Sequence, residues 1–345
     1  MSGTSLDGVD AAFLVTDGRG RVETGPWLTV PYPDALRERL RSVLGGAGPV
    51  GEVERALTEA HAEAVGELRA RHSLGRVDVI GFHGHTILHR PKEGRTWQIG
   101  DGALLAARTG IDVVCDFRSA DVAAGGEGAP LVPLFHAALA SGLERPLAVL
   151  NIGGVANVTW IGADGAVLAF DTGPGNALID DWCLAHLGRP LDEDGRLAAG
   201  GTVDAAHVER FLGHAFFSRK PPKSLDRDEW AAFRPAHLEP ADGAATLTAM
   251  TAAAVAAAET WFPSPPRRWL VTGGGRHNRA LMGELRRRLS APVASVEAVG
   301  WEGDALEAQA FAYLAVRALD GLPLSLPTTT GVAAPTTGGR RFRPA

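Results

Sequence analysis

The sequence predicts an α/β chain built from two similar halves, and two observations carry that prediction. A length of 345 residues exceeds what one ordinary core organises and suits two domains of roughly 150 residues each. In addition, a glycine-rich loop followed by a strand–turn–strand pattern occurs twice, and each time it leads into alternating helix-like and strand-like segments.

In the first half, a loop of small residues at 1–8 leads into a strand-like stretch at 9–16. A turn at Asp17-Gly18-Arg19-Gly20 follows, then a second strand from Arg21. Residues 34–44 and 50–72 carry apolar residues at helical spacing, 77–82 reads as a buried strand, and 103–109 as a helix. Residues 110–115 read as another strand and 131–141 as another helix. The second half opens with the apolar run 147–152 and Gly153-Gly154. A strand at 155–161, a turn at Gly162-Ala163-Asp164-Gly165 and a strand at 166–170 come next. Helices are expected at 177–187, 203–217, 246–261 and 280–289, with a strand at 269–272 between the last two. Strands alternating with helices imply a parallel sheet covered on both faces, and two such halves suggest duplicated domains facing each other across a cleft. The best boundary is 142–146, giving domains of 1–146 and 147–321. The tail at 322–345, rich in Pro, Thr and Gly, is expected to pack back on the first domain as an irregular strap.

Composition narrows the function classes. Hydrophobic residues make up 45% and charged residues 21%, the balance of a globular chain. A net charge of −6 argues against a nucleic-acid partner. Cys115 and Cys183 are expected to be buried thiols in a reducing compartment. No apolar run is read as approaching a membrane span, and residues 1–16 do not resemble a signal peptide, so a cytoplasmic location is expected.

Three loops suit a phosphorylated ligand. In the first, Gly3, Thr4, Ser5 and Gly8 let the backbone approach a ligand closely, so that successive N–H groups can cradle phosphate oxygens. Asp7 and Asp10 there offer oxygen ligands to Mg2+, directly or through water. Asn151-Ile152-Gly153-Gly154 repeats the arrangement at the head of the second half. Gly273, Gly274 and Gly275 follow a strand and open a helix, letting the backbone pass an adenine ring and its sugar. No Walker A pattern occurs, which argues against an ordinary P-loop enzyme.

Asp171, following an apolar strand and preceding Thr172-Gly173-Pro174-Gly175-Asn176, is positioned as a general base. Asp180 and Asp181 lie on the helix beyond it. His83, His85 and His89 fall within seven residues, but without accompanying cysteines or acids they do not read as a zinc site, and His83 reads as a substrate-facing hydrogen-bonding group. Arg118, close to the glycine-rich stretch 125–131, can bind a carboxylate in bidentate fashion or make an ordinary surface salt bridge.

The opening Met1-Ser2-Gly3-Thr4-Ser5-Leu6-Asp7-Gly8-Val9-Asp10 resembles the signature of the anhydro-N-acetylmuramic acid kinases. So do 81–86, 116–131, 150–157, 170–176 and 273–278, in the family's order and spanning nearly the whole chain. The resemblance implies two duplicated actin-like (RNase H-like) domains around a central ATP/substrate cleft. It implies ATP-dependent phosphorylation of 1,6-anhydro-N-acetylmuramic acid on O6 with hydrolytic opening of the anhydro bridge, in peptidoglycan recycling. By position, Gly3, Thr4, Ser5, Leu6, Asp7, Gly8, Val9 and Asp10 would bind the ATP phosphates. Asn151, Gly153, Gly154, Gly273, Gly274 and Gly275 would complete the nucleotide site. Asp171 would activate water, and His83, Asp116, Arg118 and Glu307 would face the sugar. The implied cofactors are ATP and Mg2+. The implied partner is a small amino-sugar, with a homodimer as an open option and no nucleic acid or membrane. The alternatives are another sugar kinase of the actin-like superfamily and a non-catalytic actin-like ATP-binding protein.

Three features depart from the family pattern. Phe82 and His85 stand where the family has serine and glutamine, and 331–343 keeps only a loose likeness. The family's phosphate loop follows a short apolar strand, whereas this sequence opens inside the motif. A free sheet edge or an unfilled groove is therefore expected beside residues 9–16.

Overall fold

The computed structural model describes residues 1–3, 6–225, 230 and 232–344; Thr4 and Ser5, both expected in the phosphate loop, lie outside the described residues. The chain forms two compact units, Met1–Gly142 with Ala305–Ala345, and Leu143–Asp304.

In the first unit β1 (Gly8–Thr16) and β2 (Val22–Pro31) form an antiparallel hairpin. Asp17 Oδ1 accepts from the N–H groups of Arg19 and Arg21 at 2.8 and 3.0 Å and so closes the connecting turn. Helices α1 (Asp34–Ser42) and α2 (Val50–Arg71) follow. Val53, Leu57, Ala64 and Leu68 of α2 recur at helical spacing and form a core with Val9, Leu28 and Ile99. Then come β3 (Val79–Phe82), a hairpin of β4 (His85–Arg90) and β5 (Arg95–Ile99), and α3 (Gly102–Thr109). Asp101 caps α3 by accepting the N–H groups of Ala103 and Leu104, and Gly110 ends it at φ 67°. Strand β6 (Asp112–Cys115) lies parallel to β3, and α4 (Ser119–Ala123) and α5 (Pro133–Leu139) complete this part.

The second unit holds a sheet of β7 (Leu147–Ile152), β8 (Val155–Ile161), β9 (Val167–Pro174), β10 (Trp269–Thr272) and β11 (Val293–Ser295). Its order is β11-β10-β7-β8-β9, antiparallel from β7 through β9 and parallel from β7 through β11. That is an RNase H-like sheet, as expected of an actin-like half. Helices α6 (Ala177–Leu187), α7 (Arg196–Ala199), α8 (Ala205–Leu212), α9 (Ala215–Ser218), α10 (Pro240–Ala258) and α11 (Arg279–Arg288) surround it. The Ala-rich α10 is buried almost all round. Ala252 and Val255 meet the sheet, and Ala249 and Ala253 meet Trp182, Phe211 and Trp230. Pro240–Trp261 is long and apolar enough to span a membrane, which corrects the reading that no such run exists. However, most of its apolar length is buried, so it is a core helix.

The chain then returns to the first unit as α12 (Leu306–Leu319), α13 (Pro327–Thr330) and β12 (Arg340–Phe342), the last antiparallel to β6. Chain order alone put 305–321 in the second domain. The compact units differ because α12 packs on β1 and β3. The tail does join the first unit, and it ends in a strand as well as a strap. Both cysteines are buried free thiols.

Other differences are local. The expected helix at 203–217 is broken at Gly213 into α8 and α9. The β4–β5 hairpin, β11 and α12 were not foreseen. The first unit keeps the antiparallel pair (β1, β2) and the parallel pair (β3, β6) of the RNase H-like pattern. Among the described residues no strand joins them, and the expected free edge of β1 is present.

Gly81 sets how closely α12 approaches β3, because a Cβ there would lie 2.0 Å from the Phe311 carbonyl oxygen. Gly81→Ala is expected to push the helix off the strand and lower stability by about 2–4 kcal/mol, read as a fall in melting temperature. An unchanged melt would show that α12 is free to shift.

Candidate active site

The first loop is held by backbone contacts. Leu6, at φ 58°, donates its N–H to the Gly3 carbonyl at 3.2 Å, and its own carbonyl accepts Arg37 Nε at 3.0 Å. Asp7 is exposed; its Oδ1 accepts the Gly8 N–H at 3.0 Å and its carbonyl accepts the Tyr32 N–H at 3.0 Å. Asp10 is half-buried and accepts the Thr29 hydroxyl at 2.6 Å. Beneath them, Tyr32 donates its hydroxyl to Ser2 Oγ at 2.8 Å, and Ser2 Oγ lies 3.0 Å from His85 Nδ1. His85 therefore holds the first loop from inside the core.

The three histidines do not converge. His89 Nδ1 lies 3.0 Å from the Thr96 hydroxyl, and His83 Nδ1 lies 3.0 Å from the Gly84 carbonyl. The His83 proton thus sits on Nδ1, leaving Nε2 to accept Arg118 Nε at 3.1 Å. Burial, with Arg118 adding to it, holds His83 well below the ordinary imidazole pKa, so it stays neutral beside the guanidinium. Arg118 also donates to the Gly128 carbonyl at 2.7 Å. Asp116, at the end of β6, adopts φ 58°, a strained conformation for a non-glycine residue. Glu307 stands in the first turn of α12, accessible at its surface yet crowded by protein. That crowding holds its pKa above the ordinary value, and the charge of Arg118 opposes it.

A residue outside the sequence reading organises this region. Asp121 is buried; Oδ1 accepts the Gly128 N–H at 2.6 Å and Oδ2 accepts the Thr330 hydroxyl at 2.6 Å. The Thr330 carbonyl in turn accepts the Glu127 N–H at 2.7 Å. One carboxylate thereby ties the glycine-rich loop to the C-terminal segment, and the loop's carbonyl positions Arg118.

In the second unit, three loops meet at the ends of β7, β9 and β10. The Asn176 N–H donates to the Gly153 carbonyl at 2.7 Å, its Nδ2 donates to the Ile152 carbonyl at 3.2 Å, and Gly175 N–H donates to the Gly154 carbonyl at 2.9 Å. A Cβ at Gly273, where φ is 74°, would lie 2.4 Å from Asn151 Oδ1. Arg276, almost buried, locks the third loop. It donates from Nε to Glu297 at 2.9 Å and from Nη1 to the Gly273 carbonyl at 3.1 Å, and pairs with Asp304 at 2.8 Å.

Asp171 lies within β9 rather than at a strand end, because the strand runs on through Pro174. Its N–H donates to the Lys223 carbonyl at 3.0 Å, and its Oδ2 accepts the Leu225 N–H at 2.9 Å. Lys223, also missed from sequence, is buried. Its ammonium donates to the Phe216 carbonyl at 2.9 Å and lies 4.4 Å from the centre of the Phe216 ring. Burial pulls its pKa down to about 8, with the Asp171 charge opposing.

A family model described as anhydro-N-acetylmuramic acid kinase matches residues 1–344. The chain is 63% identical to the anhydro-N-acetylmuramic acid kinase of Paramagnetospirillum magneticum, over 100% of this chain and 98% of the relative. It is 58% identical to that of Acidiphilium cryptum, over 100% and 97%, and 57% identical to that of Rhodospirillum rubrum, over 98% and 92%. A distant likeness extends to a solved ROK family glucokinase from Streptomyces griseus in complex with glucose and AMPPNP. There identity is 14%, the TM-score is 0.43, and coverage is 90% of this chain and 96% of that one.

Two outcomes are expected. Asp121→Asn presents an amide N–H to a donor and should lower the melting temperature while raising hydrogen exchange in 125–130, with Thr330→Val doing less. Separately, burial lowers the pKa of His61, His83, His85 and His136, the last to about 4. The unfolded chain binds protons at these rings near pH 6.5 while the folded chain does not, so stability holds above that value and declines as pH falls. Melting should drop by roughly 5–10 °C between pH 7 and 5; a flat profile would mean the fold accepts those protons.

Proposed function

The chain belongs to the anhydro-N-acetylmuramic acid kinase family, and from that premise we propose how its residues divide the reaction. The enzyme is a phosphotransferase with an alcohol acceptor. It uses ATP to convert 1,6-anhydro-N-acetylmuramic acid to N-acetylmuramic acid 6-phosphate during cell-wall recycling.

Asp171 accepts a proton from water attacking the anomeric carbon. The bond from that carbon to O6 breaks as the water oxygen bonds, and O6 attacks the γ-phosphorus of ATP, releasing ADP. Coupling suits the chemistry, because the departing alkoxide is itself the phosphoryl nucleophile. The observation that carries this role is the anchoring of the carboxylate: one oxygen accepts the Leu225 N–H, and the residue sits inside a strand paired with β8. A base so held loses little entropy on meeting its proton.

Gly3, Thr4, Ser5, Leu6, Asp7, Gly8, Val9 and Asp10 bind the phosphates. Asn151, Gly153, Gly154, Gly273, Gly274 and Gly275 bind the rest of the nucleotide through backbone approached closely. His83, Asp116, Arg118 and Glu307 bind the sugar, and the neutral His83 leaves the Arg118 charge available to its carboxylate. Asp7 and Asp10 offer only oxygen donors, which fits Mg2+; when bound there, directly or through water, it neutralises phosphate charge. The reading also places the enzyme in the cytoplasm, where two buried free thiols stay reduced.

Asparagine at 171 still accepts the Leu225 N–H but takes no proton from water. Asp171→Asn should therefore cut product formation by about 10²–10⁴-fold, measured by mass spectrometry, with ATP binding by calorimetry nearly unchanged. Asp180→Asn, outside the chemical step, should keep its activity. Equal losses in both variants would refute the assignment of the base.

A further inference from the structure

Lys223 carries its ammonium where water hardly reaches, with 4% of the residue exposed. An ammonium in such a place is costly unless its surroundings receive it. Here it donates to the Phe216 carbonyl at 2.9 Å, and the ring centres of Phe216, Trp261 and Phe170 lie 4.4, 5.6 and 5.8 Å away. Phe216 belongs to α9 and packs in the core with Phe211 and Trp230. The head of the lysine is thus fixed to a rigid part of the second unit.

The backbone of the same residue meets the edge of the sheet. β9 ends the order β11-β10-β7-β8-β9, so among the described residues no strand lies along its outer side. The stretch 223–225 takes that place at Asp171. The Lys223 carbonyl accepts the Asp171 N–H at 3.0 Å, and the Leu225 N–H donates to Asp171 Oδ2 at 2.9 Å. On the inner side the ladder slips by one residue just here: Asn157 stands opposite Asp171, but Ala156 stands opposite Gly173. Such a bulge re-aims a side chain and interrupts the pairing beside it. The outer stretch supplies the hold on Asp171 that the interrupted ladder gives up.

We infer that Lys223 is a positioning residue of the reaction: with its head anchored at Phe216, it holds the 223–225 stretch against β9 and so aims the Asp171 carboxylate at the attacking water. The inference rests on Asp171 being the base, as proposed above. Lys223 acts through Asp171 rather than on the reacting atoms. Of the charged groups among the described residues, Arg219 repels the ammonium and Asp171 attracts it. Burial, with Arg219 adding to it, brings the lysine pKa down to about 8. Below that value the head is charged, and its hydrogen bond and ring contacts are at full strength; above it a neutral amine grips the same partners less.

Lys223→Met keeps the apolar stem and removes the charge. It should lower kcat for the anhydro-sugar by about ten- to hundredfold, the cost of a slightly misplaced reacting group, and leave KM unchanged. Hydrogen exchange at the amides of Asp171 and Leu225 should quicken in the same variant. In the unaltered enzyme kcat/KM should fall as pH rises through about 8, where the ammonium loses its proton, and Lys223→Met should lack that limb. Asp171→Asn is assayed beside it. If Asp171→Asn were inactive while Lys223→Met turned over normally, the positioning role would fall and the base would stand. If Asp171→Asn stayed active, the base and the role built on it would fall together. Should Lys223→Met not fold, the unaltered enzyme still decides: kcat/KM that stays flat between about pH 7 and pH 9.5 would overturn the inference.

Discussion

The second unit depends on one strand hydrogen-bonded along both edges. Leu147–Ile152 pairs residue for residue with Val155–Ile161 on one side and Trp269–Thr272 on the other. Asn151 is thereby fixed opposite Thr272, and the chain leaving β10 must cross directly over it. Only a residue without a side chain, turned to positive φ, makes that crossing, which is the physical reason for Gly273. Gly175 passes the Gly153 carbonyl under the same constraint: a Cβ there would lie 2.2 Å from its oxygen. The loops at the ends of β7, β9 and β10 are thus mostly backbone held by a ladder, and their tolerance for substitution is correspondingly small.

The first unit reaches a comparable result by other means. Its loops are tied by side chains that arrive late in the sequence. Thr330 reaches Asp121, Arg317 Nη1 donates to the Gly18 carbonyl at 2.7 Å, and Tyr313 donates its hydroxyl to the Arg19 carbonyl at 3.0 Å. Arg118 receives its orientation from Gly128 and His83, neither of which adjoins it in sequence. Ladders give the second unit its precision, and buried polar pairs give the first unit much of its own.

Sequence was informative where structure is local. The hairpin at 147–161 was legible to the residue, because its apolar runs are bounded by glycines and a turn that few other conformations accept. The loops at 151–154 and 273–278 were legible for the same reason. What escaped was whatever needs a partner far along the chain. Lys223 looks like a surface lysine until Phe216 and Trp261 are folded around it. Asp121 looks like a helix charge until Thr330, 209 residues later, is brought to it. The unit boundary failed likewise, since nothing within 305–321 says which sheet it covers. The setting of Asp171 was misjudged, because Gly173 and Pro174 read as a turn and instead continue β9.

The second unit is an uninterrupted stretch of chain, Leu143–Asp304, whereas the first is split around it. A ribosome therefore delivers the two in a nested order. Residues 1–142 emerge first, yet the surface of β3 and β1 that α12 covers stays bare until synthesis passes Leu319. At about 5–20 residues per second, that leaves a nascent chain carrying an uncovered apolar sheet for some tens of seconds. The later-made unit can close before the earlier one does. Newly made protein is at its most aggregation-prone during that interval, and chaperone demand falls on the amino-terminal half rather than on the finished enzyme.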